Sequence, residues 1–74
     1  MTPERAAEIA QRFIAGQDLQ GRRYTFVSAR PSLRHPGRWN ATFRVETAQG
    51  APVEGAVVVV IDEADEQPRF LGSL

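Results

Sequence analysis

The most constraining feature of this chain is the apolar run from Ala56 to Ile61, which leads directly into Asp62 and Glu63. Its β-branched residues predict a strand, because branched side chains pack well on a pleated sheet. Successive side chains of a strand point to opposite faces. The even-numbered valines, Val58 and Val60, therefore share one face, and Val57, Val59 and Ile61 share the other. A strand that is apolar on both faces needs cover on both.

The N-terminal segment predicts one helix that can supply part of this cover. Thr2 and Pro3 are typical of a helix start, because threonine caps free amides and proline needs no N–H there. Apolar residues then recur at helical spacing as far as Gly16, a predicted stop: Ala6, Ile9, Ala10, Phe13 and Ile14. Glu8 and Arg12, four residues apart, can pair. A helix over Pro3–Ala15 is about 20 Å long, enough for one face of a small sheet.

Two further strands are predicted before the valine run. Tyr24–Ala29 is rich in β-branched and aromatic residues, and Arg38–Thr47 alternates strictly between apolar and polar residues. Pro36-Gly37 predicts the turn between them. In the first strand, Tyr24 and Phe26 are predicted on one face and Val27 and Ala29 on the other. That strand also carries apolar residues on both predicted faces.

The C-terminal part predicts a turn over Asp62–Gln67 and then a short strand or tail over Arg69–Leu71, which Pro68 places at an edge. Short turns join antiparallel strands. The prediction is therefore one α+β domain over residues 1–74, with the helix packed on a three- to four-stranded antiparallel meander of cystatin-like outline.

Charge is unevenly distributed although the formal net charge is zero. All nine basic residues are arginines. Six of them lie in the acid-free stretch from Gly21 to Val45, whereas the stretch from Gly50 to Gln67 contains acids and no base. Two explanations remain open. The strands can pair their charges across the sheet, or the arginines can form a basic face for an anionic partner.

Enzymatic chemistry finds no support in the residue pattern. The stretch VVVVIDEADE is similar to the acidic motif of nucleotide-driven helicases, but phosphate binding there needs a glycine-rich loop with lysine, and the chain has no lysine. His35 is the single histidine, cysteine is absent, and the acids lack calcium-loop spacing. We therefore expect neither enzymatic activity nor a metal or cofactor.

Further cover is expected for the second face of the valine strand. The cover can come from the C-terminal Phe70, Leu71 and Leu74, from a second copy of the chain, or from a different protein. The residues predicted to contact such a partner are Val58, Val60, Arg38, Arg44 and Phe70. The alternative is a nucleic-acid-binding module that uses the arginine-rich segment 21–45, although Trp39 and Phe43 lie on the face opposite Arg38 and Arg44.

The expected location is the cytoplasm. The longest apolar run is too short to span a bilayer, and the first residues lack the layout of a signal peptide.

The order of elements resembles two groups of small bacterial domains. One is a toxin-immunity family, which the helix Pro3–Gly16, the tryptophan strand Arg38–Phe43, the strand end Val60–Glu63 and the final RFLGSL resemble. The other is the PepSY domain, whose hairpin also has an acidic turn after an apolar strand. Both usually carry Thr-Gly in that turn, where this chain has Asp65-Glu66. The first resemblance implies blocking of a partner protein. The second implies regulation of a peptidase.

Overall fold

The computed structural model describes residues 1–71 and contains one helix and four strands. The elements are α1 (Pro3–Ala15), β1 (Arg23–Pro31), β2 (Arg38–Glu46), β3 (Val57–Asp62) and β4 (Pro68–Phe70). The strands form one antiparallel sheet in the order β1-β2-β3-β4. The predicted α+β arrangement of a helix on an antiparallel meander is thus confirmed, and its fourth strand, which contains Pro68, lies at an edge.

Helix α1 begins and ends where its sequence predicts. The side-chain oxygen of Thr2 accepts a hydrogen bond of 3.1 Å from the amide of Arg5, and Gly16 is the C-terminal cap. Glu8 and Arg12 form the predicted pair at 3.3 Å. The buried face of α1 consists of Ala6, Ile9, Ala10 and Ile14.

The core lies between α1 and one face of the sheet, which we call the helix face. Its strand members alternate along β2 and β3, as the period of two predicts: Trp39, Ala41, Phe43, Val59 and Ile61. Phe43, at the centre, is 2% exposed and meets Phe26 edge to face, with 5.8 Å between ring centroids. Burial of such side chains contributes about 1.5–3 kcal/mol each.

A β-bulge at Val27 removes the conflict predicted for the first strand. Phe26 pairs with Phe43 and Ser28 pairs with Thr42, so Val27 is an extra residue without a partner in β2. The extra residue shifts the alternation by one. Ala29 therefore returns to the helix face, where it packs against the core together with Tyr24 and Phe26. The prediction that β1 is apolar on both faces is wrong, and only Val27, 51% exposed, is left outside.

The other side of the sheet carries no helix, and we call it the open face. The register places Val58 and Val60 there, as predicted, opposite Thr42 and Asn40 of β2. Val60 is nonetheless only 2% exposed, so the chain itself covers this side chain. Val58 is half-buried.

The C-terminal segment supplies part of the cover that the sequence left open among three sources. The amide of Leu71 donates a hydrogen bond of 2.9 Å to the carbonyl oxygen of Val58, which extends the pairing of β4 with β3 by one residue. Leu71 thereby lies beside Val58 on the open face, and its side chain is 56% exposed. Leu74, which the sequence groups with Phe70 and Leu71, lies outside the described residues.

Candidate functional site

The acidic turn after β3 holds three other elements together. Asp62, at the end of β3, bonds Arg38 of β2 at 3.2 Å and Arg69 of β4 at 2.7 Å. Glu66 bonds Arg5 of α1 at 2.7 Å. The turn predicted over Asp62–Gln67 is present, and it works as a structural clamp.

Glu63 in the same turn accepts a hydrogen bond of 2.6 Å from the indole nitrogen of Trp39. The α-amino group of Met1 lies 3.4 Å from the same carboxylate oxygen. The indole hydrogen bond, followed by that positive charge, lowers the pKa of Glu63 below its usual value. Trp39 is 7% exposed, so this bond gives its buried N–H group the partner that it needs.

The other two carboxylates of the clamp also have lowered pKa values. Hydrogen bonds from Arg69 and then from Arg38 lower the pKa of Asp62, and a hydrogen bond from Arg5 lowers that of Glu66. Both carboxylates are partly exposed, so each ion pair contributes little to stability by itself. The three bonds act together on the geometry of the turn.

Most arginines of the acid-free stretch form no ion pair with any of residues 1–71. Within residues 1–71, Arg38 is the single member of that stretch that pairs with a carboxylate. Cross-strand pairing therefore explains Arg38 and leaves the others: Arg22, Arg23, Arg30, Arg34 and Arg44. Of these, Arg23, Arg30 and Arg44 lie on strands and face the open side, because the register pairs them with Glu46, Asn40 and Thr25.

A groove of about 750 Å³ lies on the open face beside the loop that joins β1 to β2. Among the described residues its charged lining consists of three arginines, Arg30, Arg34 and Arg38, and His35 lies beside them. Its neutral polar lining consists of Ser28, Ser32, Asn40 and Thr42, and its apolar lining includes Val60, Leu33 and Leu71. Leu33 is 100% exposed at the rim. The groove thus combines positive charge with an apolar floor.

The β1–β2 loop is fixed by its own hydrogen bonds. The side-chain oxygen of Ser32 accepts hydrogen bonds from the amides of Arg34 at 3.3 Å and His35 at 3.2 Å. Gly37 follows with a φ of 82°, a conformation that glycine adopts without strain. The carbonyl oxygen of Gly37 accepts a bond of 2.8 Å from the amide of Glu63. This attachment to the acidic turn holds the loop at the end of the sheet.

The aromatic side chains are segregated from this groove. The chain has one tryptophan, one tyrosine and four phenylalanines. All of them belong to the helix face or to α1 itself: Phe13, Tyr24, Phe26, Trp39, Phe43 and Phe70. Phe70 stacks at a tilt on Phe13, with 4.9 Å between ring centroids. The groove therefore offers guanidinium groups without aromatic rings.

The residues predicted to contact a partner do not form one surface. Val58, Val60, Arg38 and Arg44 lie on the open face, whereas Phe70 lies on the helix face against Phe13. Of the five, Arg38 and Val60 line the groove.

The predicted contact residues did not include four groove residues from the end of β1 and the loop, namely Arg30, Leu33, Arg34 and His35, and Leu71 was named only as possible cover. The absence of acids from Gly21 to Val45 is the sequence signal that could have found the groove arginines. No sequence signal showed that the loop would lie beside the open face.

In comparison with known proteins, no family model, no curated protein and no solved structure matches the chain. In the part of the chain that the structure describes, no helix combines the length and the apolar character that crossing a membrane requires. Among those residues, no three acidic or histidine side chains come together in a group that could hold a metal ion.

Proposed function

We propose that this protein is a non-enzymatic binding module that docks another protein, or a second copy of itself, on its open face. The observation that carries the proposal is the groove, which brings unpaired arginines next to the apolar side chains of Val60, Leu33 and Leu71. Interfaces between proteins combine an apolar centre with polar groups and favour arginine over lysine. The lack of cysteine in all 74 residues fits a reducing compartment, and we place the module in the bacterial cytoplasm.

The face is a better docking site than the outer edge of the sheet. Strand β1 presents that edge over nine residues. It carries, however, the features by which proteins protect an edge, namely the bulge at Val27, the exposed Arg23 and Arg30, and the terminal Pro31. Addition of a partner strand at β1 would meet all of these obstacles. Docking on the open face requires no pairing with β1, so these features do not oppose it.

The alternative function is nucleic-acid binding by segment 21–45. It is favoured by the arginines of this segment that form no ion pair within residues 1–71: Arg22, Arg23, Arg30, Arg34 and Arg44. Single-stranded nucleic acid is usually held by aromatic rings on which bases stack, beside a basic groove. The rings of this chain belong to the core side, and the groove has none among its lining residues. We therefore place nucleic-acid binding second.

Site-specific photo-crosslinking in the expressing cells tests the proposal. The crosslinking amino acid p-benzoylphenylalanine replaces Leu33, whose fully exposed side chain at the groove rim contributes nothing to the core. The matched control places it at Gln17, which is exposed just after α1. We expect a discrete protein adduct at position 33, weakened by Arg34→Glu elsewhere in the groove, and no such adduct at position 17.

Three results would contradict the proposal. They are equal adducts at both positions, no adduct at position 33, or an adduct at position 33 that nuclease removes. An adduct that nuclease removes would show that the groove binds nucleic acid instead of a protein. The mass of the adduct separates a second copy from a different protein, and sedimentation at micromolar concentration checks the second-copy case directly.

A further inference from the structure

We propose, on the basis of the proposed function, that the groove takes an extended acidic segment of a partner protein, with an apolar side chain next to its carboxylates. Charge complementarity carries this step. Among the described residues, three arginines and one histidine line the groove and no carboxylate does. A protein segment rich in Glu or Asp has the negative charge that complements such a lining.

Arg38 is oriented for this task by the clamp. Its side chain is 30% exposed, and its Nε atom bonds Asp62 at 3.2 Å. Its two terminal nitrogens make no side-chain hydrogen bond within residues 1–71. A guanidinium group held in this way presents a planar pair of donors, and such a pair binds a carboxylate through two parallel hydrogen bonds. The ion pair with Asp62 thus fixes Arg38 and leaves its outer edge for a ligand.

Arg30 and Arg34 supply the positive charge that Asp62 does not neutralise. Both side chains belong to exposed residues, and neither forms an ion pair within residues 1–71. Arg30 comes from the end of β1 and Arg34 from the loop, so they approach the groove from different elements. Two independent cations beside Arg38 suit several carboxylates along an extended chain better than a single anion.

The apolar lining explains why the ligand should also carry an apolar side chain. Val60 forms the floor at 2% exposure, and Leu71 and Leu33 flank it at 56% and 100%. A volume of about 750 Å³ lies within the range of roughly 300–1,000 Å³ that is typical of ligand sites. Leucine or valine in the partner segment would bury Leu71 and Leu33 on binding, which the hydrophobic effect favours.

Fluorescence anisotropy with labelled probe peptides tests the inference. The main probe is a short peptide of glutamates around a central leucine. Three further probes are the same peptide with glutamine for glutamate, the same peptide with alanine for leucine, and an oligothymidylate of matching length. We expect the glutamate–leucine peptide to bind tightest, the alanine peptide more weakly, and the glutamine peptide and the oligonucleotide not measurably.

Two double variants with equal charge change localise the binding. Arg30→Ala/Arg34→Ala removes two groove arginines, and Arg22→Ala/Arg23→Ala removes two exposed, unpaired arginines that do not line the groove. Loss of hydrogen bonds to charged groups predicts that the groove variant binds the main probe about tenfold or more weakly. The control variant should lose less than about twofold, because its charges act only from a distance.

Each other outcome overturns the inference in a distinguishable way. Equal loss in both double variants shows general attraction to positive charge. Equal binding of the glutamine peptide removes the acidic requirement but leaves docking on the open face intact. Tighter binding of oligothymidylate, in competition with the peptide, replaces both proposals by nucleic-acid binding. Binding of none of the probes rejects the acidic segment, whereas photo-crosslinking at position 33 still decides whether a protein docks there.

Discussion

Deletion of Val27 should be tolerated, because this residue is the extra one in the bulge of β1. Without it, Tyr24, Phe26 and Ala29 still alternate onto the helix face, and the pairing of Phe26 with Phe43 leads on to that of Ser28 with Thr42. The lost side chain is 51% exposed, so the free energy of burial given up is about 1 kcal/mol, half of the roughly 1.5–3 kcal/mol for full burial.

Deletion of Thr42 from β2 is the matched control. It shifts the alternation of that strand and turns Phe43 and Val45, each 2% exposed, away from the core. The loss is about 3–6 kcal/mol, at roughly 1.5–3 kcal/mol for each side chain. A chain of this length has a total free energy of unfolding of about 4–11 kcal/mol, so this deletion should leave little or no folded protein.

Thermal unfolding followed by circular dichroism distinguishes the two deletions. We expect a cooperative transition without Val27, with a Tm within about 8 °C of the parent value, and no transition without Thr42. The fluorescence of Trp39, the single tryptophan, reports on the core independently. If removal of Val27 abolished folding as removal of Thr42 does, the bulge would be required for the curvature of the sheet, and the argument that it only restores the alternation would be refuted.

Two further predictions concern α1 and the acidic turn. Thr2→Ala should lower the free energy of unfolding by about 1 kcal/mol, because the amide of Arg5 loses its acceptor. Thr2→Ser keeps a hydroxyl acceptor and should retain most of the parent stability. Urea unfolding measures both variants. The fold lowers the pKa values of Asp62, Glu63 and Glu66. Their contribution to the free energy of unfolding is therefore complete above the pKa values of the unfolded chain, about 4, and is lost as the pH falls through the lower pKa values of the folded protein. Urea midpoints should therefore fall on acidification below about pH 4, and less steeply in Asp62→Asn; midpoints independent of pH would contradict the clamp.

The sequence predicts the elements of this fold well because each carries a local signal. The threonine–proline start and the apolar spacing determine α1, and the strict alternation of Arg38–Thr47 determines β2 to within one residue. The order of the strands follows from short turns. These signals depend on neighbours along the chain, which a single sequence displays directly.

The bulge and the groove depend on contacts between distant parts of the chain. Val27 looks like any other residue of an alternating strand, and only its pairing with β2 shows that it is extra. The sequence leaves open what covers Val60 on the open face, and only the folded chain shows that this side chain is buried without a partner. The loop at Leu33 and Arg34 was predicted as a loop, but its position beside the sheet depends on bonds such as that from Glu63 to Gly37.

The turn after β3 has a consequence for engineering of the protein. Surface loops generally accept insertions, but this one makes contacts with α1, β2 and β4 through Glu66, Asp62 and Glu63. A tag or dye inserted there would loosen several elements at once and would release Arg38 from the orientation that the groove requires. The loop around Gly50, between β2 and β3, is the better position for a reporter, since its tip is exposed and none of its residues lines the groove.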